Sequence, residues 1–161
     1  MTFQKIGIIV AFLILNGCGC DKPDMYFIPK GYVGYIYIIY NVKGGQKLDY
    51  VDNKIINKIP ENGIMLTVNE CRGIEKNLLC DEFYYSETNG KLTNLPSQQI
   101  GDVVEKDQNL FACHMGVRSF SQGLTMDVLR IGPTNNTFWK SKKKMELNDL
   151  IDSLKLIKNV P

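Results

Sequence analysis

The sequence has a single histidine, His114, and none of its five cysteines lies in a C-x-x-C pair. Structural zinc sites need four Cys or His ligands, usually with that spacing. The chain also lacks a glycine-rich phosphate loop, a serine-centred nucleophile elbow and a recognisable pair of catalytic carboxylates. These absences argue against a zinc protein and leave the sequence without a motif for any common class of enzyme.

The chain has little excess of charge of either sign. It contains 19 Lys and Arg residues and 17 Asp and Glu residues, which gives a net charge of +2. So small a net charge gives no global field that would steer an acidic partner, and we predict no nucleic-acid partner. The local exception is the basic run from Lys140 to Lys144. It is interpreted as a solvated face or, alternatively, as a contact with anionic lipid headgroups.

No apolar run is long enough for a transmembrane helix, which needs about 20 residues. The longest, Ile6–Leu15, has the length of a signal-peptide core, which is about 7–15 residues. The segment Leu15-Asn16-Gly17-Cys18 that follows is similar to a bacterial lipobox, in which the chain is cut before a cysteine that then receives lipid. Cys20 fits this pattern less well than Cys18, because Gly17 would occupy the aliphatic position. The alternative is a short buried helix with two thiols.

The lipobox makes residues 1–17 a signal peptide and residues 18–25 a lipidated tether. The mature chain of 161 − 17 = 144 residues suits one domain. Acyl chains such as palmitate on Cys18 would anchor it in a bacterial cell envelope, since two or more acyl chains hold a protein at a membrane stably. Gly19 follows, rather than the Asp that favours retention in the inner membrane, so the outer membrane is favoured if the host has two. No cofactor is predicted.

Four further cysteines would lie in an oxidising compartment, where disulfides form. Cys71 and Cys80 bracket a short glycine-containing stretch, and we favour a disulfide between them that staples a loop between strands. A disulfide between Cys20 and Cys113 is the weaker prediction. Zinc is the alternative use of four cysteines, and it is disfavoured by their spacing, so we predict no metal site.

Turn residues separate short runs rich in Tyr, Ile and Val. The run Tyr32–Tyr40 has no polar face, which predicts a central strand covered on both sides. Asn89-Gly90 predicts a hairpin between Phe83–Ser86 and Lys91–Leu95. Further strands are predicted at residues 48–51, 54–59, 64–68, 110–117 and 124–131. The sequence therefore predicts a mainly β protein with one antiparallel sandwich over residues 26–134.

The period of the apolar residues changes near the C-terminus. Six of them recur at helical spacing with charges between them: Met145, Leu147, Leu150, Ile151, Leu154 and Ile157. This pattern predicts one amphipathic helix over residues 144–158. We expect the helix to pack on the sandwich, and the alternative is that it docks on a partner or on the membrane surface.

Two similar motifs flank the aromatic strand. They are the stretches FIPKGYVG at residues 27–34 and IPENGIMLT at residues 59–67. Their order resembles the DUF6843 family of small bacterial lipoproteins, whose pattern is I-P-x-G-Y-x-G followed by I-P-x-x-G-I-x-x-T. The resemblance covers about residues 27–95. It implies a tethered, β-rich domain in the envelope and no activity, because none is established for the family. The two corners also suggest, by analogy of fold only, a transthyretin-like or carboxypeptidase-regulatory sandwich.

Candidate chemistry is limited to three features. Cys113 and His114 are adjacent, but neighbours on a strand point to opposite faces, so they are not expected to form a nucleophile–base pair. The charges of Asp81 and Glu82 are interpreted as solvated loop charges. Tyr35 and Tyr37 either fill the sandwich or lie on an exposed face and contact an envelope partner.

The sequence therefore predicts a cell-envelope lipoprotein that acts as a non-catalytic binding or scaffolding module, with a protein or a glycan as its partner. A carbohydrate- or peptidoglycan-binding module is the first alternative. The second is a hydrolase, which would need a concave site that joins His114 to a carboxylate.

Overall fold

Ten β-strands make up most of the part of the chain that the structure, a computed structural model, describes. That part comprises residues 23–52, 54–72, 81–98, 110–119, 123–133, 136–142 and 149–150. Its elements are β1 (Asp24–Pro29), β2 (Gly34–Tyr40), β3 (Asp49–Val51), β4 (Lys54–Lys58), β5 (Ile64–Leu66), β6 (Glu82–Ser86), β7 (Leu92–Leu95), β8 (Ser97–Gln98), β9 (Phe111–Ser119), β10 (Thr125–Gly132) and α1 (Asn136–Ser141). Within these ranges, no helix is long and apolar enough to cross a membrane.

The strands form two five-stranded sheets that share one apolar core. The first sheet has the order β3-β4-β1-β6-β7, and the second has the order β5-β2-β10-β9-β8. Both contribute to the same buried cluster, the first through Tyr26, Ile28, Ile55 and Phe83, the second through Ile36, Ile38, Leu129 and Ile131. Because side chains alternate between the faces of a strand, these residues define the inner face of each sheet. The predicted mainly β class is confirmed.

Both sheets are mixed, so the prediction of an antiparallel sandwich is wrong. β1 runs parallel to both of its neighbours, β4 and β6, and β5 runs parallel to β2. The reason lies in the order in which the chain visits the sheets. After β1 it crosses to the second sheet for β2, and after β4 it crosses again for β5. A chain that leaves a sheet and later returns to it can enter in the same direction, whereas a hairpin reverses it.

The two proline motifs are the corners at which these crossings begin. Pro29 ends β1, and its carbonyl accepts a hydrogen bond from Tyr32 N at 3.0 Å, while the carbonyl of Pro60 accepts one from Gly63 N at 2.9 Å. Gly63 has φ +74°, and a Cβ there would lie 1.9 Å from the hydroxyl oxygen of Tyr32. The two corners are therefore in contact, and the second accepts only glycine at this position.

β2 is central and covered on both sides, as the sequence predicts. On its outer face Tyr37 and Ile39 belong to a second apolar cluster, together with Met126 and Val128 of β10. Leu150 packs in this cluster with no exposed surface, and both it and Asp149 are helical. The rest of the predicted helix over residues 144–158 lies outside the described residues, so that helix stays a prediction.

Two elements depart from the sequence-based boundaries. β1 begins at Asp24, inside the segment predicted to be tether, and pairs with β4 from its first residue. α1 was not predicted, and it places Trp139 against the second sheet. By contrast, the hairpin of β6 and β7 confirms the prediction from Asn89-Gly90, because the two strands pair antiparallel around Gly90 with φ +82°.

Candidate functional site

His114 lies between the two sheets, with a carboxylate on either side. It stands on the inner face of β9, and its Nε2 is 3.0 Å from Oδ2 of Asp81, which immediately precedes β6 of the first sheet. Its Nδ1 is 3.2 Å from Oδ1 of Asp127 on the neighbouring strand β10. This second contact is electrostatic and not a hydrogen bond. Two carboxylates thus lie on opposite sides of one imidazole ring.

Asp81 connects the imidazole to the start of β1. Its Oδ1 accepts a hydrogen bond from the backbone N of Asp24 at 3.0 Å, and its Oδ2 accepts one from the Tyr26 hydroxyl at 3.4 Å. Tyr26 also donates to Oδ2 of Asp24 at 3.4 Å, and Asn57 Nδ2 donates to the same oxygen at 3.3 Å. We call Asp24, Tyr26, Asp81, His114 and Asp127 the His114 cluster. It joins both sheets through polar contacts in an otherwise apolar core.

The aromatic groups of the core hold this cluster in place. Tyr26 stacks on Phe83 with ring centroids 4.7 Å apart, and both rings present edges to His114 at 6.0 and 6.2 Å. Burial raises the pKa of Tyr26 well above its usual value, and the nearby carboxylates of Asp127 and Asp81 raise it further. Burial likewise raises the pKa of Tyr40. Both phenols therefore stay protonated and remain hydrogen-bond donors at neutral pH.

A cavity of about 20 Å³ adjoins the cluster and is lined by Asp24, Tyr40, Tyr50, Cys71, Arg72 and Asp127, among others. That volume holds about one water molecule, whereas pockets for small-molecule substrates are typically about 300–1,000 Å³. The side chain of His114 is only 9% exposed and that of Asp81 is fully buried. The cluster thus has the His–carboxylate pairing of a general base, and the cavity that the described residues form beside it is too small for a substrate.

The described residues give no support to the predicted disulfides. No two cysteines among them, Cys71 and Cys113, lie at bonding distance. Cys18, Cys20 and Cys80 lie outside the described residues. Cys71 packs against the core and lines the cavity. The Sγ of Cys113 contacts the backbone oxygen of His114 at 3.5 Å, which fits adjacent strand residues with side chains on opposite faces.

An exposed face that carries Tyr35 and Tyr37, one of the two alternatives for these rings, is not observed. Tyr37 is 3% exposed and belongs to the outer apolar cluster that includes Leu150. Tyr35 is half-buried, with its ring centroid 5.2 Å from that of Trp139 on α1. The outer face of β2 is covered because helical residues after β10 pack on it, so two adjacent solvent-facing rings are absent there.

Arg130 is the residue beside Tyr35 on the outer face of the second sheet, and it was not singled out in the sequence. It pairs with Tyr35 on one side and Cys113 on the other. Its guanidinium carbon lies 5.5 Å from the ring centroid of Phe111 and 5.0 Å from that of Trp139. Its Nε is buried without a hydrogen-bond partner. The rings give cation–π contacts but supply no acceptor oxygen.

Sequence reasoning also missed the roles of Asp81 and Asp127. Asp81 is 5% exposed and Asp127 is 2% exposed, so the interpretation of Asp81 as a solvated loop charge is wrong. One signal was available for Asp127: it interrupts the apolar alternation of a buried strand, on the same face as Leu129 and Ile131. No comparable signal marked Asp81, because its partner His114 lies 33 residues away in the sequence.

Comparisons with known proteins agree with this description. The sequence matches a family of unknown function, DUF6843, over residues 21–128. The fold is similar to a crystal structure described as "Putative Lipoprotein from Bacillus anthracis", with a TM-score of 0.55 and 16% identity over 88% of this chain and 94% of that chain. No curated protein sequence matches the chain. At 16% identity the solved structure shows the fold alone, whereas the family match covers about two thirds of the sequence, and the chain therefore belongs to the DUF6843 family.

Proposed function

We propose that this chain is a lipoprotein of the bacterial cell envelope, anchored through lipid on Cys18, and that its β domain is a non-catalytic binding module. The observation that carries the anchor is the fit of three boundaries. The lipobox ends at Cys18, the family match begins at residue 21, and β1 begins at Asp24. The folded domain thus starts six residues after the proposed lipid, and an extended chain of that length spans about 20 Å.

The short tether limits where the domain can act. It would hold the Asp24 end of the first sheet within about 20 Å of the membrane surface. Asp24 and Tyr40 line the same cavity, and Tyr40 pairs with Thr125, so the start of β10 lies at the Asp24 end of the domain. α1 follows Gly132 and therefore lies at the opposite end of β10. Lys140 and Lys142 on and after α1 are therefore expected to face away from the anchoring membrane. This placement favours a soluble ligand over lipid headgroups as the partner of the basic run.

The geometry of His114 supports a structural role over the hydrolase alternative. A general base needs an accessible nitrogen within hydrogen-bond reach of its substrate. Both ring nitrogens of His114 instead face buried carboxylates, and the adjoining cavity holds about one water molecule. The contact between His114 and Asp81 connects the two sheets, and the contact with Asp127 lies within the second sheet. The outer membrane is the proposed location where the host has two membranes.

Intact mass measurement of the protein extracted from its host tests the anchor. We expect a mass that corresponds to residues 18–161 plus acyl chains, and partition into the detergent phase. The Cys18→Ser variant should keep its signal segment and carry no acyl mass, whereas Cys20→Ser should behave like the parent. Acyl chains that persist in Cys18→Ser would overturn the assignment of the anchor.

Purification in mild detergent tests the binding role. An envelope component that is enriched with the parent protein and lost when the second sheet's outer face is altered would support it. A turnover of an ester, amide or glycoside that disappears in His114→Gln without loss of folding would support the hydrolase instead.

A further inference from the structure

Arg130 is a positive charge that the described protein does not neutralise. Among the residues that the structure describes, no carboxylate lies within ion-pair distance of its guanidinium, and its buried Nε has no acceptor. Buried polar groups in native proteins nearly always have a partner, so each exception requires an explanation. Arg130 as a whole is half-buried, so part of its side chain can be reached from solvent.

The side chain is held in place before any ligand arrives. Phe111 and Trp139 both lie within 5.5 Å of the guanidinium carbon. Trp139 is itself fixed, since its Nε1 donates to the carbonyl of Pro133 at 2.6 Å. It also lies over Gly132, where a Cβ would be 2.6 Å from the Trp139 ring. The absence of a side chain at Gly132 therefore lets the indole sit next to Arg130.

A fixed, unpaired guanidinium suits one class of ligand. Its planar N–H groups match the two oxygens of a carboxylate or phosphate, and the hydrogen bonds to such groups are charge-assisted. Preorganisation by the aromatic rings lowers the entropy lost on binding. Lys140 and Lys142, both exposed, follow in and after α1 and add positive potential. Tyr35 beside Trp139 adds aromatic surface with a polar edge.

We propose that Arg130, with Trp139 and Tyr35, binds a small anionic ligand, a carboxylate or phosphate group carried on a sugar or polyol. This inference names a ligand class for the binding role proposed above and rests on that role, but it does not depend on the lipid anchor. Acidic sugars and polyol phosphates share the recognised chemistry, and the two probes below distinguish them.

The test uses the full chain purified from membranes in a neutral detergent. Glucuronate and glycerol 1-phosphate are the anionic probes, and glucose and glycerol are their neutral counterparts. Trp139 is the only tryptophan of the chain, so its fluorescence reports directly on the site, and calorimetry gives the affinity independently. We expect a saturable response to at least one anionic probe and none to its neutral counterpart. The probe that binds more tightly identifies the source of the anion.

Three variants make the test specific. Arg130→Gln should weaken binding by about ten- to a hundredfold, the loss expected for a charge-assisted pair. Arg130→Lys should also weaken it, because an ammonium group cannot form the two-pronged contact. Lys43→Gln, an exposed lysine of the β2–β3 connection, should leave the affinity within about twofold, the small effect expected of a screened distant charge.

Several results would overturn the proposal. The first is no response to either anion at about 10 mM, which would mean an affinity too weak to be functional. The second is an equal response to glucose or glycerol. The third is unchanged affinity in Arg130→Gln. Near-ultraviolet circular dichroism establishes that each variant is folded, and if Arg130→Gln is not, Arg130→Lys decides. The intact mass of the same sample reports on lipidation, so a failed anchor and a failed anion site give different results.

Discussion

The His114 cluster and Arg130 place charge in the same sandwich in opposite ways. His114 has a carboxylate 3.0 Å from one ring nitrogen and another 3.2 Å from the second. Arg130 has two aromatic rings and no described carboxylate. The first site lies between the sheets, next to a cavity for about one water molecule, and the second lies on the outer face of one sheet.

The difference separates a stabilising role from a binding role. A buried charge network in which the charges face partners holds its surroundings in one arrangement, and loss of a member leaves the others uncompensated. A fixed cation that faces no anion among the described residues is available to a ligand instead. We therefore assign a structural role to His114, the residue that stands out in the sequence. The proposed ligand binding falls to Arg130, which does not stand out.

The strongest test of this comparison is Asp81→Ala. The change removes the acceptor for His114 Nε2, for the backbone N of Asp24 and for the Tyr26 hydroxyl. We expect a loss of about 3–5 kcal/mol in the free energy of unfolding, as for other broken buried pairs, measured by urea denaturation. The adjacent Glu82→Ala is the control. Its ion pair with Lys54 is partly exposed on both sides and should contribute little to stability. Equal losses in the two variants would contradict a special role for the cluster.

Gly132→Ala should move Trp139 away from Arg130. The new Cβ would lie 2.6 Å from the indole ring, so the ring must shift, at a cost of about 1–3 kcal/mol for overpacking. The emission of Trp139 should change at the same time. Gly34→Ala is matched to it, because its φ of +157° is close to the +159° of Gly132 and its new Cβ would meet Tyr32 only at 3.4 Å. Unchanged emission in Gly132→Ala would mean that the indole is not seated as described.

Alkaline pH should destabilise the fold through the buried tyrosines in and beside the His114 cluster. Burial raises the pKa of Tyr26 and Tyr40 above the ordinary value of 10.0. A group with a raised pKa in the folded state contributes stability that is fully present below its unfolded pKa and is lost as pH rises through the folded pKa. Urea midpoints should therefore fall progressively above about pH 10. Tyr26→Phe should reduce this slope relative to Tyr35→Phe, a ring on the outer face. Identical slopes would argue against the buried phenol as the cause.

Arg130→Met should change stability least. It keeps much of the packing between Phe111 and Trp139 and removes a charge that no described residue balances. We expect a change of less than about 1 kcal/mol in either direction, because a half-buried charge without an ion pair among the described residues contributes little to stability. A loss comparable to that of Asp81→Ala would show that Arg130 is held by an internal partner, and the contrast between the two sites would disappear.

Local patterns predicted the strands well and long-range pairings poorly. The aromatic run that became β2 has no polar face, so its central position follows from its own residues. The hairpin at Gly90 follows from two adjacent residues. By contrast, the parallel pairing of β1 with β4 and β6 depends on two crossings between the sheets, and no single segment records that choice.

The sites illustrate the same limit. Tyr37 and Tyr35 have the same chemistry and lie on the same face of one strand. The first is nevertheless buried and the second half-buried, because the residues that cover them come from beyond β10. Arg130 could have been noticed as a charge within a strand of apolar residues. Its aromatic neighbours could not, since Phe111 and Trp139 come from different elements on either side of it in sequence.

The crossings at Pro29 and Pro60 also bear on how the polypeptide acquires its shape. β1 becomes an interior strand only after β4 and β6 have paired with it, and β2 becomes one only after β10 has paired with it. Neither sheet can therefore be completed by a continuous stretch of chain, and most pairings close large loops. Topologies of this kind fold slowly compared with those built from local contacts. If the chain is exported across a membrane with its amino terminus first, as proposed, β1 and β2 would stay incompletely paired until the segment around residue 132 has crossed. The chain would then be most exposed to proteases and to aggregation between export and folding.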